Sequence, residues 1–186
     1  MSPSASHQPN ASDRPEHPLR QILWDITSTI VPALVIALVL NTYVARATTI
    51  IGPSMQPNLH TDQRVLLDKA TYRFIHGPQR GDVVVIDLPG EEIPLIKRVI
   101  GLPGETVEIR QGQVFINGEP LEEPWETQSY SGSYPATYVP PLYVFVLGDN
   151  RANSRDSRSF GVVPIEWLTA RALFVYWPPD QAETLR

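Results

Sequence analysis

The sequence predicts a mainly β protein, an antiparallel barrel or sandwich preceded by one apolar helix. Three observations carry this expectation. Short runs rich in Val, Ile, Tyr and Phe recur after Thr48, each bounded by Gly, Pro or Asn, which is the pattern of antiparallel strands. Two dipeptides between such runs, Gln111-Gly112 and Asn117-Gly118, fit two-residue hairpin turns, the second a strong type I′ signal. Ahead of them lies an uninterrupted apolar run from Ile30 to Leu40. With 186 residues, and roughly 100 to 200 residues per domain, the chain has room for one substantial core.

Taken in order, residues 1–20 are rich in Ser, Pro, Asn and His and almost free of large apolar side chains. Such a segment cannot bury enough surface to offset its ordering entropy, so it reads as a disordered tail. Residues 21–47 read as a transmembrane anchor. A bilayer span needs about 20 mostly apolar residues, and apolar composition holds from Ile22 to Val44 around one early charge, Asp25. Trp24 and Tyr43 stand where interfacial aromatics would hold such a helix. Two other readings compete: a buried soluble helix, for which no helical partners follow, and a cleaved secretory signal, since Ala45-Arg46-Ala47 fits the small-x-small cleavage pattern. Arg14 and Arg20 before the span, against Arg46 after it, lean toward a cytoplasmic N-terminus. Residues 48–186 read as the β domain, with strands expected over 65–67, 82–88, 93–100, 106–110, 113–116, 143–147 and 173–176. Residues 121–141, rich in Pro, Ser, Tyr and Glu, read as an excursion from the sheet. No internal repeat is present.

Composition excludes several chemistries. Lys and Arg number 15 against 20 Asp and Glu, a net charge of −5. Beyond residue 44 the balance is 13 basic to 17 acidic, with no cation excess to meet a phosphate backbone, so a nucleic-acid role is disfavoured. Without cysteine, disulfides, thiol catalysis, iron–sulfur clusters and Cys-ligated zinc are excluded. Of the four histidines, His7 and His17 lie in the tail, leaving His60 and His76 for a folded region.

Three segments could do chemistry. In Thr49-Ile50-Ile51-Gly52-Pro53-Ser54-Met55-Gln56-Pro57, two prolines and a glycine impose an irregular, extended backbone around one serine. Ser54 is either a nucleophile on a stiff loop or an ordinary loop serine. Lys97 sits in Ile93-Pro94-Leu95-Ile96-Lys97-Arg98-Val99-Ile100. Two adjacent cations in an apolar strand leave at least one head group partly desolvated. Burial lowers a lysine pKa from about 10.4 and makes the amine a usable base near neutral pH; the alternative is a lysine whose stem packs while its head reaches water. The third segment, Gly148-Asp149-Asn150-Arg151-Ala152-Asn153-Ser154-Arg155-Asp156-Ser157-Arg158, is crowded with short hydrogen-bonding side chains. Asp156 and Arg158 read as structural partners. A carboxylate touching Lys97 would raise its pKa, so Asp156 is expected to act at one remove, with Ser154 or another hydroxyl orienting the neutral amine.

GPSMQPNL, QRVLLDK, RGDVVVI, IKRVIGLPGE and GDNRANSRDSR occur in an order and spacing that resembles the bacterial type I signal peptidases, from about residue 50 to 163. The resemblance implies a membrane-bound serine endopeptidase with a Ser/Lys dyad that removes signal peptides from exported preproteins. By position, Ser54 matches the nucleophile, Lys97 the general base, and Ser154 and Asp156 the residues that support the lysine. It further implies small residues, typically Ala, before the cut and two positions earlier, with Ile50, Met55, Leu95 and Ile96 as pocket walls. No metal or organic cofactor is required. The implied partners are signal-peptide-bearing preproteins and the lipid bilayer, with the catalytic domain on the extracytoplasmic face of a single-pass cell-membrane protein. The sequence carries no signal for self-association. Two positions depart from the family pattern: Gly52 stands where some relatives place a serine that helps the oxyanion hole, which leaves mainly backbone N–H, and Asn58 replaces a threonine, read as a packing variation.

Two other functions are weighed. A Ser/His hydrolase would use His60 or His76, and neither has an obvious carboxylate to orient it. A membrane-tethered β domain could bind exported polypeptides by strand addition without cutting them. The self-cleaving SOS repressors share the Ser/Lys chemistry, but they are soluble and carry a DNA-binding domain.

Overall fold

The computed structural model describes residues 18–39, 45–72, 76–125 and 127–185. Its contacts divide the chain into two units, one ending at Leu40 and the other running from Asn41 to Arg186.

In the first unit, helix α1 spans Pro18–Val39. Its hydroxyls are satisfied within the helix: Thr27 donates to the Leu23 carbonyl at 2.8 Å, and Ser28 and Thr29 donate to that of Asp25 at 3.1 and 2.9 Å. Every side chain described there, Ile22 through Leu38, is exposed. Among the described residues no helix is long and apolar enough to cross a membrane. The tail at 1–17, with His7, Arg14 and His17, and the segment 40–44 with Tyr43 lie outside the described residues.

The second unit is β. Ala45–Thr49, taken from sequence as mostly the end of the anchor, is strand β1, held in register with β2 (Arg64–Asp68) from Ala45↔Asp68 to Thr49↔Arg64. There follow β3 (Val83–Ile86), β4 (Leu95–Gly101), β5 (Thr106–Arg110), β6 (Gln113–Ile116), β7 (Glu119–Pro120), β8 (Tyr134–Tyr138) and β9 (Tyr143–Leu147). After the short helix α2 (Ser157–Phe160) come β10 (Val163–Pro164), β11 (Leu168–Trp177) and β12 (Glu183–Thr184). All pairings are antiparallel. One sheet has the order β1-β2-β11-β3-β4-β9-β10, with β12 on β11, and the other β7-β6-β5-β8. The expected strands all appear, but neither sheet closes into a barrel. Each ends in an edge, and the two-residue edges β7 and β10 both finish in proline, which has no N–H to extend a ladder.

Burial explains which strands were legible. All four residues of β3 are buried, because Val83 and Val85 join one core cluster and Val84 and Ile86 another on the opposite face. A third cluster, Ile100, Val107, Ile109, Val114, Val139, Phe145 and Leu147, packs β4 and β9 against the small sheet. Both hairpin dipeptides make their turns. Gln111 and Gly112 have φ of 49° and 86°, Asn117 and Gly118 of 52° and 88°, the positive pair that a type I′ turn requires. The 121–141 stretch is not wholly an excursion, since β8 pairs with β5 as an edge strand that tolerates Pro135. Strand β11 starts well before residue 173: Leu168, Ala170, Ala172 and Val175 are its buried positions, spaced irregularly by bulges, and the small alanines masked the alternation.

Candidate active site

Between β1 and β2 the chain leaves the sheet and returns at a closed neck. The Ile50 N–H donates to the Gln63 carbonyl at 2.8 Å, and the Asp62 N–H to that of Ile50 at 3.0 Å. Inside this loop Gln56 N–H bonds the Pro53 carbonyl at 3.1 Å and Leu59 N–H that of Met55 at 2.9 Å. The serine is thus fixed by its own loop. Gly52 has φ +88°, a left-handed conformation that favours glycine, although a Cβ there would meet nothing within 4 Å. A side chain at this position is opposed by backbone strain rather than by crowding. The Ser54 N–H has no backbone acceptor among the described residues.

Strand β4 brings the lysine to this loop. Lys97 lies opposite Val84 of β3 and is 2 % exposed. Its Nζ is 2.8 Å from Ser54 Oγ and donates to the Ile96 carbonyl at 2.7 Å. Burial pulls its pKa from 10.5 down to about 8, while the negative charges of Asp156 and Asp149 push the other way. Of the two readings open from sequence, the buried amine is the one observed.

Asp156 is fully buried and does not bond the lysine. It accepts from the Gly148 N–H at 3.0 Å and from Arg158 Nε and Nη2, both at 2.8 Å, and it caps α2 through the Arg158 N–H. Its influence on Lys97 is through space. Ser154 departs from expectation: its Oγ is buried with no hydrogen-bond partner, so it does not hold the amine in this arrangement. It lies instead against Gly148, where an added Cβ would meet Ser154 Oγ at 2.2 Å and the Ser54 carbonyl at 2.5 Å.

Three residues to which the sequence reading gave no role in the site tie the loops together. Arg98 Nε and Nη2 grip Asp149 at 2.9 and 2.6 Å, a charge-assisted fork with both groups almost fully buried. Asn58 Nδ2 donates to Asp149 Oδ2 at 2.8 Å, so this position is a polar tether and not a packing variation. Asn150 N–H and Nδ2 donate to the Ser54 and Pro53 carbonyls at 3.1 and 3.2 Å. The adjacent cations in an apolar strand were the signal. The partner of Arg98 lies 51 residues away, and local sequence does not show it.

A cavity of about 510 Å³ opens onto Ser54 and Lys97, and Ile50, Met55, Leu95 and Ile96 all line it. His60 lines a different cavity and His76 Nδ1 contacts the Gly77 carbonyl at 2.6 Å, so neither histidine is placed to serve Ser54. Among the described residues no cluster of three or more His, Asp or Glu could hold a metal ion.

Comparison with known proteins identifies the family. Residues 23–177 match the family described as signal peptidase, peptidase S26. A probable signal peptidase I-2 of Synechocystis is 37% identical over 90% of this chain and 79% of its own length. Signal peptidase I S of Bacillus subtilis is 34% identical over 86% of this chain and 91% of its own. A crystal structure of a signal peptidase I from Enterococcus faecalis matches with a TM-score of 0.44 and 34% identity, covering 52% of this chain and 97% of that one.

Proposed function

The chain belongs to the signal peptidase family, peptidase S26, and from that premise we propose that it is a membrane-anchored serine endopeptidase that cleaves signal peptides from exported preproteins with a Ser54/Lys97 dyad. The 2.8 Å approach of Lys97 Nζ to Ser54 Oγ, inside a buried pocket, carries the reading. In the neutral form the amine accepts the hydroxyl proton while Ser54 Oγ attacks the scissile carbonyl. The Ser54 N–H donates to the oxyanion. Protonated Lys97 then gives its proton to the leaving amine, and the regenerated neutral amine activates water to clear the acyl-enzyme. Asp156 supports the lysine through the Gly148 turn, and Ser154 Oγ is a spare hydroxyl beside it.

The substrate lies extended along residues 50–55. Ile50 and Met55, buried, and Leu95 and Ile96, half-buried, stand in the cavity wall and are the side chains that select small residues beside the cut. Anchoring is supported by α1, whose Ile22, Leu23, Ile26, Ile30, Leu34 and Leu38 are all about half exposed or more. Exposed apolar side chains along the helix, unbroken from Ile30 to Leu38, favour cover by lipid or protein. Arg14 ahead of the helix and Arg20 in its first turn, against Arg46 beyond it, favour a cytoplasmic N-terminus, with the β domain on the other face of the cell membrane.

Ser54→Ala and Lys97→Ala, each in the full chain, are expected to abolish cleavage of a preprotein followed by gel shift. Wild-type rates in either variant would sink the dyad. A binding domain without protease activity would instead hold preprotein while Ser54 resists covalent labelling by an acylating inhibitor.

A further inference from the structure

Residues 121–125 and 127–130, which belong to no strand, meet Arg98 of β4 and Arg151 and Arg158 of the 148–158 loop. The Arg98 guanidinium stacks on Trp125 with 4.7 Å to the ring centroid, and that of Arg158 stacks on Tyr130 at 4.8 Å. Arg151 forks onto Glu123, its Nη1 at 3.1 Å, and also donates Nε to the Gly148 carbonyl at 3.1 Å. A backbone bond from the Gln128 N–H to the Asp149 carbonyl, 3.1 Å, completes the seam. Two of the three arginines pair with the carboxylates whose charges act on Lys97: Arg98 holds Asp149 and Arg158 holds Asp156. One segment therefore covers both ion pairs with an aromatic face.

We propose that Trp125 and Tyr130 form an aromatic clamp on the active site, as positioning residues that keep Arg98 on Asp149 and Arg158 on Asp156. The inference rests on the Ser/Lys reading of the site. A guanidinium stacked on a ring is held in place and shielded from water, so the pairs stay closed and the aspartate charges stay compensated. Both aspartates favour the proton on Lys97, and losing the compensation makes them do so more strongly. Arg46, Lys69, Asp87 and Glu91 share the lysine's cavity and lie outside the clamp. The Trp125 indole N–H, buried without a partner, shows that the ring is seated for its face and not for a hydrogen bond.

The test is the pH dependence of preprotein cleavage by the full chain carrying Trp125→Ala, Trp125→Phe, Trp125→Leu, Tyr130→Ala or Tyr130→Phe. The alanine and leucine variants are expected to move the acid limb of kcat/KM upward by about half a pH unit or more and to lower kcat with KM nearly unchanged. The phenylalanine variants restore both. Wild-type acid limbs in the alanine and leucine variants, with only Tm lowered, would overturn the clamp, as would phenylalanine variants that behave like alanine. Trp125→Leu retains bulk and keeps the test open if Trp125→Ala does not fold. Lys97→Ala run alongside separates the two claims. Activity in that variant defeats the Ser/Lys reading itself, whereas its inactivity together with unshifted limbs defeats only the clamp.

Discussion

Lys97 is held where an ammonium is costly, and the cost has a sign that can be measured. Its pKa falls from 10.5 to about 8 on folding. Below about 8 both folded and unfolded chains carry the proton, and the native state bears the full penalty. Between about 8 and 10.5 only the unfolded chain holds it, so stability rises with pH across that window and is flat above it. The shift corresponds to about 3 kcal/mol at 1.36 kcal/mol per unit. Lys97→Met, which fills the same tunnel without charge, is expected to be inactive yet more stable by about 1 to 3 kcal/mol at neutral pH. That gain should shrink as pH rises through the window, as read from urea midpoints. A variant less stable than wild type at every pH would contradict the burial argument. On the proposed Ser/Lys mechanism, in which the neutral amine is the base, activity is expected to climb with pH toward about 8, as read from a pH–rate profile.

At the scale of elements, the site is an assembly of two loops and a strand whose spacing depends on a bare Cα. Gly148 follows β9 directly, with the Ser54 carbonyl and Ser154 packed against it. Gly148→Ala is expected to force the loops apart, to cost about 1 to 3 kcal/mol in stability, and to lower kcat more than tenfold, because small misplacements of a nucleophile are expensive. Circular dichroism melts and cleavage kinetics on one preparation check both. The elements most legible in the sequence were those with a strong local rule. The hairpins at Gln111-Gly112 and Asn117-Gly118 follow from turn chemistry, and β3 from an unbroken Val/Ile run. Strand β8 was missed because Pro135 and Ala136 carry no strand signal, and it exists only because β5 offers an edge.

For the whole molecule, the protease reading requires that the β unit be delivered to a bilayer surface by α1. An acidic residue in mid-helix costs about 2.5 to 3.5 kcal/mol in the bilayer. Leu34→Asp should therefore release a measurable fraction of the protein from membranes on alkaline extraction. In detergent, where the anchor is not needed, cleavage of a short peptide substrate should remain at the wild-type rate. Complete membrane retention of the variant would point to another means of attachment.

The sequence by itself determined the β class, the hairpins and the apolar segment at residues 22–44, because each follows from residue type and near-neighbour spacing, whereas Ser54 and Lys97 were singled out only through the resemblance of their motifs to a known family. Only the tertiary structure decided that Lys97 is dry, that Asp149 is shared by Arg98 and Asn58, that Ser154 Oγ stands unbonded, and that Trp125 and Tyr130 cover the arginines. These depend on groups distant along the chain meeting in a closed interior, where water can no longer satisfy them and only the partner that packing supplies can do so.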